Sequence, residues 1–135
     1  MRYRLILPLV VLTLLLSACG SEDGGSDEAL SRGETLYEEN CLSCHGGESG
    51  GEISDSPPRH NQNGHTWHHP DCQLTEITLR GPAAWGGTPE PGSMPAFEGQ
   101  LTEDDVAAIL TYIKTWWTDE QRAYQEEITQ ARCIE

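Results

Sequence analysis

Basic residues are scarce in this 135-residue chain: 8 Lys and Arg stand against 22 Asp and Glu, a formal net charge of −14. That shortage excludes a protein that grips a nucleic-acid backbone, because such affinity rests on Lys and Arg displacing counterions. It equally argues against electrostatic docking on anionic lipid. Aromatics are thin too, with 1 Phe, 4 Tyr and 4 Trp. The length allows one small domain. So small and charged a chain needs a covalent staple or a buried prosthetic group to complete its core. Methionine is nearly absent, since Met1 and Met94 are the 2 present. The 5 Cys show where the missing stability comes from.

The one long apolar run, Leu5 to Leu16, follows Met1-Arg2-Tyr3-Arg4 and precedes Ser17-Ala18-Cys19. A basic start, a run too short to span a bilayer comfortably and small residues at its end describe an export signal over residues 1–18. An uncleaved anchor helix is the weaker alternative, because the run gives way at once to Gly, Ser and acids. Leu16-Ser17-Ala18-Cys19 resembles the bacterial lipobox, which implies a lipidated Cys19 as the new N-terminus. Loss of Arg2 and Arg4 with the leader would leave six basic residues against 22 acidic ones, a net −16. Residues 19–28 are then expected to be a flexible acidic linker, with the folded part starting at Ala29.

Cys41-Leu42-Ser43-Cys44-His45 carries the chemistry. Two thiols three positions apart on a helical turn reach the two vinyl groups on one porphyrin edge, and the next residue aims an imidazole at the iron. Cys-x-x-Cys-His is accordingly the attachment signature of c-type haem. A zinc half-site would need a second ligand pair at recognisable spacing, whereas Cys72 and Cys133 lie far apart. A thioredoxin-like redox pair would need strands around it, and the flanking pattern is helical. The expected cofactor is one covalent haem c.

The surrounding segments resemble a class I cytochrome c over most of the exported chain. Leu30, Gly33, Leu36 and Tyr37 share one helical face before the motif. The resemblance implies that Gly33 admits the last helix at close range. It also implies a Pro carbonyl that accepts a bond from the proximal His Nδ1–H, for which Pro57 in Ser56-Pro57-Pro58 is the choice; Arg59 stands where the family usually has an apolar residue. Gly92-Ser93-Met94-Pro95-Ala96-Phe97 resembles the family's distal Met-Pro segment, so Met94 is the expected sixth ligand opposite His45. A thioether is soft and neutral, favours Fe(II) and raises the potential. A Met merely packed in a core is the alternative. Thr102 is read as an N-cap followed by three acids at the positive end of a helix. Val106, Ile109, Leu110, Ile113 and Trp117 form its apolar stripe, and Thr118 looks like a second cap that kinks or restarts it.

With one thiol lipidated and two on haem, Cys72 and Cys133 remain. In an oxidising exterior they are most simply a disulfide, with two free thiols as the alternative. His60, His65, His68 and His69 could converge on copper or zinc. The plainer reading is a polar loop at the haem edge, with Trp67 shielding the porphyrin rim and Arg59 or a His bonding a propionate. Asp71 would cap a helix over 72–80. The expected fold is all-α, a small cytochrome c fold of three to four short helices around one haem, with a cytochrome c domain at 29–117 and a helical extension at 118–135. The expected function is one-electron transfer by a membrane-tethered monohaem carrier with His/Met ligation, not an enzyme, on the extracytoplasmic (periplasmic) face of a bacterial membrane. Its partners are redox proteins of unknown identity, and the membrane is reached through the lipid anchor, with no nucleic acid. The alternatives are a haem protein with open or His-ligated iron, acting as a sensor or enzyme subunit, and a His-rich copper-handling protein.

Overall fold

A computed structural model describes residues 23–50 and 57–133. The expected signal peptide at 1–18, the expected lipidation site Cys19 and the first residues of the expected linker lie outside the described residues. Five α-helices appear among those described, with no strand: α1 (Asp23–Asn40), α2 (Leu42–His45), α3 (Asp71–Arg80), α4 (Glu103–Lys114) and α5 (Asp119–Arg132). Short 3₁₀ turns at Thr66–His68 and Gly81–Trp85 flank α3. None of these helices is long and apolar enough to cross a membrane.

Helix α1 already includes Asp23, the first described residue, six residues ahead of the expected start of the folded part. The acidic composition there suggests a flexible linker. Lengthening an existing helix, however, costs far less than nucleating one, and Asp27 and Glu28 sit toward its positive end. Its close partner is α4. A Cβ on Gly33 would lie 2.0 Å from the Ala108 carbonyl oxygen, so the two backbones approach to a distance that only glycine permits. Arg32 Nη2 meets Asp105 Oδ1 at 2.5 Å beside the crossing.

Helix α4 opens with a capping box. Thr102 Oγ1 accepts from the Asp105 N–H, and the Asp105 carboxylate accepts from the Thr102 N–H, so two otherwise orphaned donors are satisfied reciprocally. Val106, Ile109, Leu110 and Ile113 are buried along one face and continue into Trp116 and Trp117. Together with Tyr37, Leu74, Phe97 and Leu101 they form the core. The helix stops at Lys114 and restarts after a second capping box built by Thr118 and Gln121.

Helix α5 is fastened to the rest of the chain by polar groups. Gln125, 1% exposed, donates from Nε2 to Asp71 Oδ1 at 2.6 Å and to Thr129 Oγ1 at 3.1 Å. The Asp71 N–H donates to Thr129 Oγ1, and a disulfide joins Cys72 to Cys133. Asp71 is not the cap expected of it. It is the first residue of α3, Pro70 holds the cap position, and the Asp71 carboxylate turns instead to Gln125 and to Lys114 Nζ at 2.7 Å.

The segment carrying Met94 is tied to the end of α3. The Phe97 and Glu98 N–H groups donate to the carbonyls of Thr78 and Leu79 at 3.2 and 2.9 Å, which lack partners within their own helix's final turn. Gly81, at φ 56°, turns the chain away beneath this strap. A Cβ there would meet the Met94 carbonyl oxygen at 3.0 Å.

Candidate functional site

Cys41 follows the last residue of α1, and Cys44 lies within the single turn of α2. Both are free, Cys41 buried and Cys44 exposed. Burial, and then the neighbouring Cys44, push the Cys41 thiol up to about 11, so it stays protonated at neutral pH. His45 follows at the end of the turn and is buried. Its Nδ1–H donates to the Pro58 carbonyl at 2.6 Å, which fixes the tautomer and leaves the Nε2 lone pair available to a metal. The carbonyl belongs to Pro58 and not to Pro57, the expected residue. Pro57 precedes a proline and is held in extended conformations, so the chain runs one residue further before a carbonyl reaches the imidazole.

Cys41, His45 and Met94 line a single cavity with a mostly apolar wall. Helix α3 contributes Leu74, Ile77 and Thr78, and α4 contributes Ile109, Leu110 and Ile113. The α3 set has a 3–4 spacing that periodicity alone could have flagged. Tyr37 completes one side. Its hydroxyl donates to the Gly46 carbonyl at 2.7 Å, and burial raises its pKa well above the ordinary phenol value. It thus clamps the loop that leaves the Cys-x-x-Cys-His turn.

The remaining wall is histidine-rich. His60, His65, Thr66 and His69 face the same cavity. His60 stacks on the His45 ring with centroids 4.3 Å apart and planes at 27°. Burial, followed by the nearby His45 and His65, lowers its pKa to about 3, so this imidazole is neutral. Arg59 and Trp67, expected at the haem edge, are not among the lining residues. Pro58 and His60 face inward and Arg59 between them packs along Gly64 instead. In the 3₁₀ turn, Thr66 reaches His60, while Trp67 turns to stack on His68 and meets Tyr124 of α5 edge-on. The four histidines do not all converge: three line the cavity, and His68 lies outside it. His68 bonds the His65 carbonyl, His69 bonds Gln73, and among the described residues no group of three or more His, Cys, Asp or Glu could hold a metal ion.

A cavity-lining thiol at Cys41 with a second, exposed thiol three positions on at Cys44, a buried imidazole with one nitrogen committed, a thioether on a strap and apolar walls between them form a donor set suited to haem. Fold and site together define a small all-α haem-binding domain. The cytochrome c family model matches residues 30–117. The chain belongs to the cytochrome c family, and its cofactor is covalently bound haem c. No curated protein and no solved structure matches the chain significantly. Haem-based electron transfer is the activity that follows from this membership.

Proposed function

We propose that the protein is a membrane-tethered monohaem electron carrier, with Cys41 and Cys44 holding the haem by thioethers and His45 and Met94 as axial ligands. The observation that carries this reading is the shared cavity of Cys41, His45 and Met94, with His45 Nδ1 already committed to Pro58. The haem supplies a one-electron Fe(III)/Fe(II) couple when bound. The chain's own residues do the rest. Pro58 holds the His45 proton on Nδ1, so the facing nitrogen stays unprotonated. Leu74, Ile77, Ile109, Leu110 and Ile113 keep water from the cavity, which disfavours the more highly charged oxidised state. The strap anchored on Thr78 and Leu79 holds Met94 in place. With His45 and Met94 both committed to the haem, no position would be left for a substrate, and the protein would carry electrons without catalysing a reaction.

Residues 29–117 form the carrier module in this reading, with 118–135 as an added helical brace. Residues 1–18 direct export and lipid on Cys19 tethers the module to the periplasmic face of a bacterial membrane. Its partners are redox proteins that present a basic or an apolar surface around their own cofactor. The excess of acid over base, 22 against 8, makes such docking fast, weak and sensitive to salt.

The reduced-minus-oxidised visible spectrum tests the ligand set. The wild-type ferric protein is expected to show the weak thioether-to-iron band at the red end and to resist cyanide. Met94→Ala should abolish the band, admit cyanide and lower the potential. Survival of the band in Met94→Ala would remove Met94 from the iron. Because His60, His65 and His69 line the same cavity, bis-histidine ligation is the second reading, and its signature is a low-spin spectrum without that band.

A further inference from the structure

We infer that His60 is a positioning residue for the haem's proximal ligand, fixing the plane of the His45 imidazole. The inference rests on His45 as iron ligand. The Pro58 bond holds one atom of the His45 ring, which leaves the ring able to tilt about that contact. A flat partner on the ring face removes this freedom, and His60 lies there, 4.3 Å away and inclined by 27°.

His60 is itself held at two further points. Thr66 Oγ1 is hydrogen-bonded to its Nδ1 at 2.8 Å, and its backbone carbonyl accepts from Trp117 Nε1 at 2.7 Å. Thr66 and Trp117 are both buried, at 5% and 3% exposure. Tyr37 adds an edge-on contact at 6.1 Å. His60 is half-buried in the histidine-rich wall of the cavity, and the Thr66 hydroxyl satisfies its Nδ1, as a polar ring withdrawn from water requires. An aliphatic side chain would fill this volume without presenting a plane. The arrangement thus relays the rigidity of the α4 end, through Trp117 and His60, to the ligand ring. The imidazole plane sets how unpaired spin is distributed over the porphyrin, so its orientation is readable in the oxidised holoprotein.

The test compares holoprotein carrying His60→Leu, His60→Phe and Thr66→Val with wild type by proton NMR of the oxidised form, reading the order and spread of the haem methyl hyperfine shifts. His60→Leu is expected to change the pattern while the protein stays low-spin with haem attached. His60→Phe, which keeps a flat face, should stay near wild type. If His60→Leu yields no holoprotein, Thr66→Val decides, since it frees the ring without removing it and should shift the pattern. A wild-type pattern in His60→Leu (or in Thr66→Val where that variant decides), or an equal change in His60→Phe and His60→Leu, overturns the inference. A wild-type protein that is high-spin would instead overturn the axial ligand set, a separate outcome.

Discussion

Replacing Gly33 by alanine isolates the helix crossing on which the pocket is built. The new Cβ would stand 2.0 Å from the Ala108 carbonyl oxygen, 2.6 Å from its carbon and 3.1 Å from Tyr112 Cβ. The first two are backbone atoms and cannot rotate away, so α1 and α4 must part by about 1.5 Å to restore ordinary contact. Alanine gains about 1 kcal/mol over glycine in a helix interior. Against that, overpacking a rigid contact costs typically 1–3 kcal/mol, and a backbone clash belongs at about the upper end. Parting also loosens the packing around Val106 and Ile109, which lie next to Ala108 in α4. The net effect is a loss of about 2 kcal/mol, or roughly 10 °C in Tm for a domain this size. Gly25 supplies the control within the same helix. Nothing lies within 4 Å of a Cβ there, so Gly25→Ala should be neutral or stabilising by up to about 1 kcal/mol. Thermal unfolding of the holoproteins, followed by circular dichroism, measures both. Equal or higher Tm in Gly33→Ala would refute the claim that backbone proximity makes glycine necessary.

Other expectations follow from the same contacts. Cys133→Ser should destabilise by about 4 kcal/mol in the chain-entropy model, given the 61-residue separation from Cys72; calorimetry on non-reduced protein measures the loss, and a change below about 1 kcal/mol would show that α5 holds without its staple. Asp105 is held below the ordinary carboxylate range, first by the Thr102 hydroxyl, then by the Thr102 N–H, with Arg32 adding to them. A depressed carboxylate stabilises the fold above its unfolded value of about 3.9 and loses that contribution as pH falls through the lower folded value. Stability should therefore drop more steeply below about pH 4 in wild type than in Asp105→Asn; matching acid-unfolding curves would contradict the role given to this cap.

What is legible in the sequence is what repeats or has fixed spacing. Cys41, Cys44 and His45 stand out by their order alone. The stripe from Val106 to Trp117 announces α4, and Thr102 and Thr118 announce its start and its interruption. Polar anchors are harder to read. Helix α5 offers Tyr124 and Ile128 as a sparse apolar edge, yet the buried residue is Gln125, whose partners lie 54 and 56 residues away at Asp71 and His69. No local pattern foretells a hydrogen bond over such a separation. Asp71 resembles a cap for the same reason, because its real partners come from α4 and α5. The histidine cluster suggests convergence on an ion, but backbone direction sends His68 outward against Trp67 and His60 inward against His45. The one-residue displacement from Pro57 to Pro58 depends on the path of the loop, which two adjacent prolines in a sequence do not reveal.

The most direct measurement is mass spectrometry of the purified protein after proteolysis, paired with its visible spectrum in alkaline pyridine. The account predicts one haem per chain on the peptide containing Cys41 and Cys44, with the pyridine spectrum of a haem bound through two thioethers. A colourless, folded protein whose Cys41 and Cys44 are both alkylated without prior reduction would contradict it.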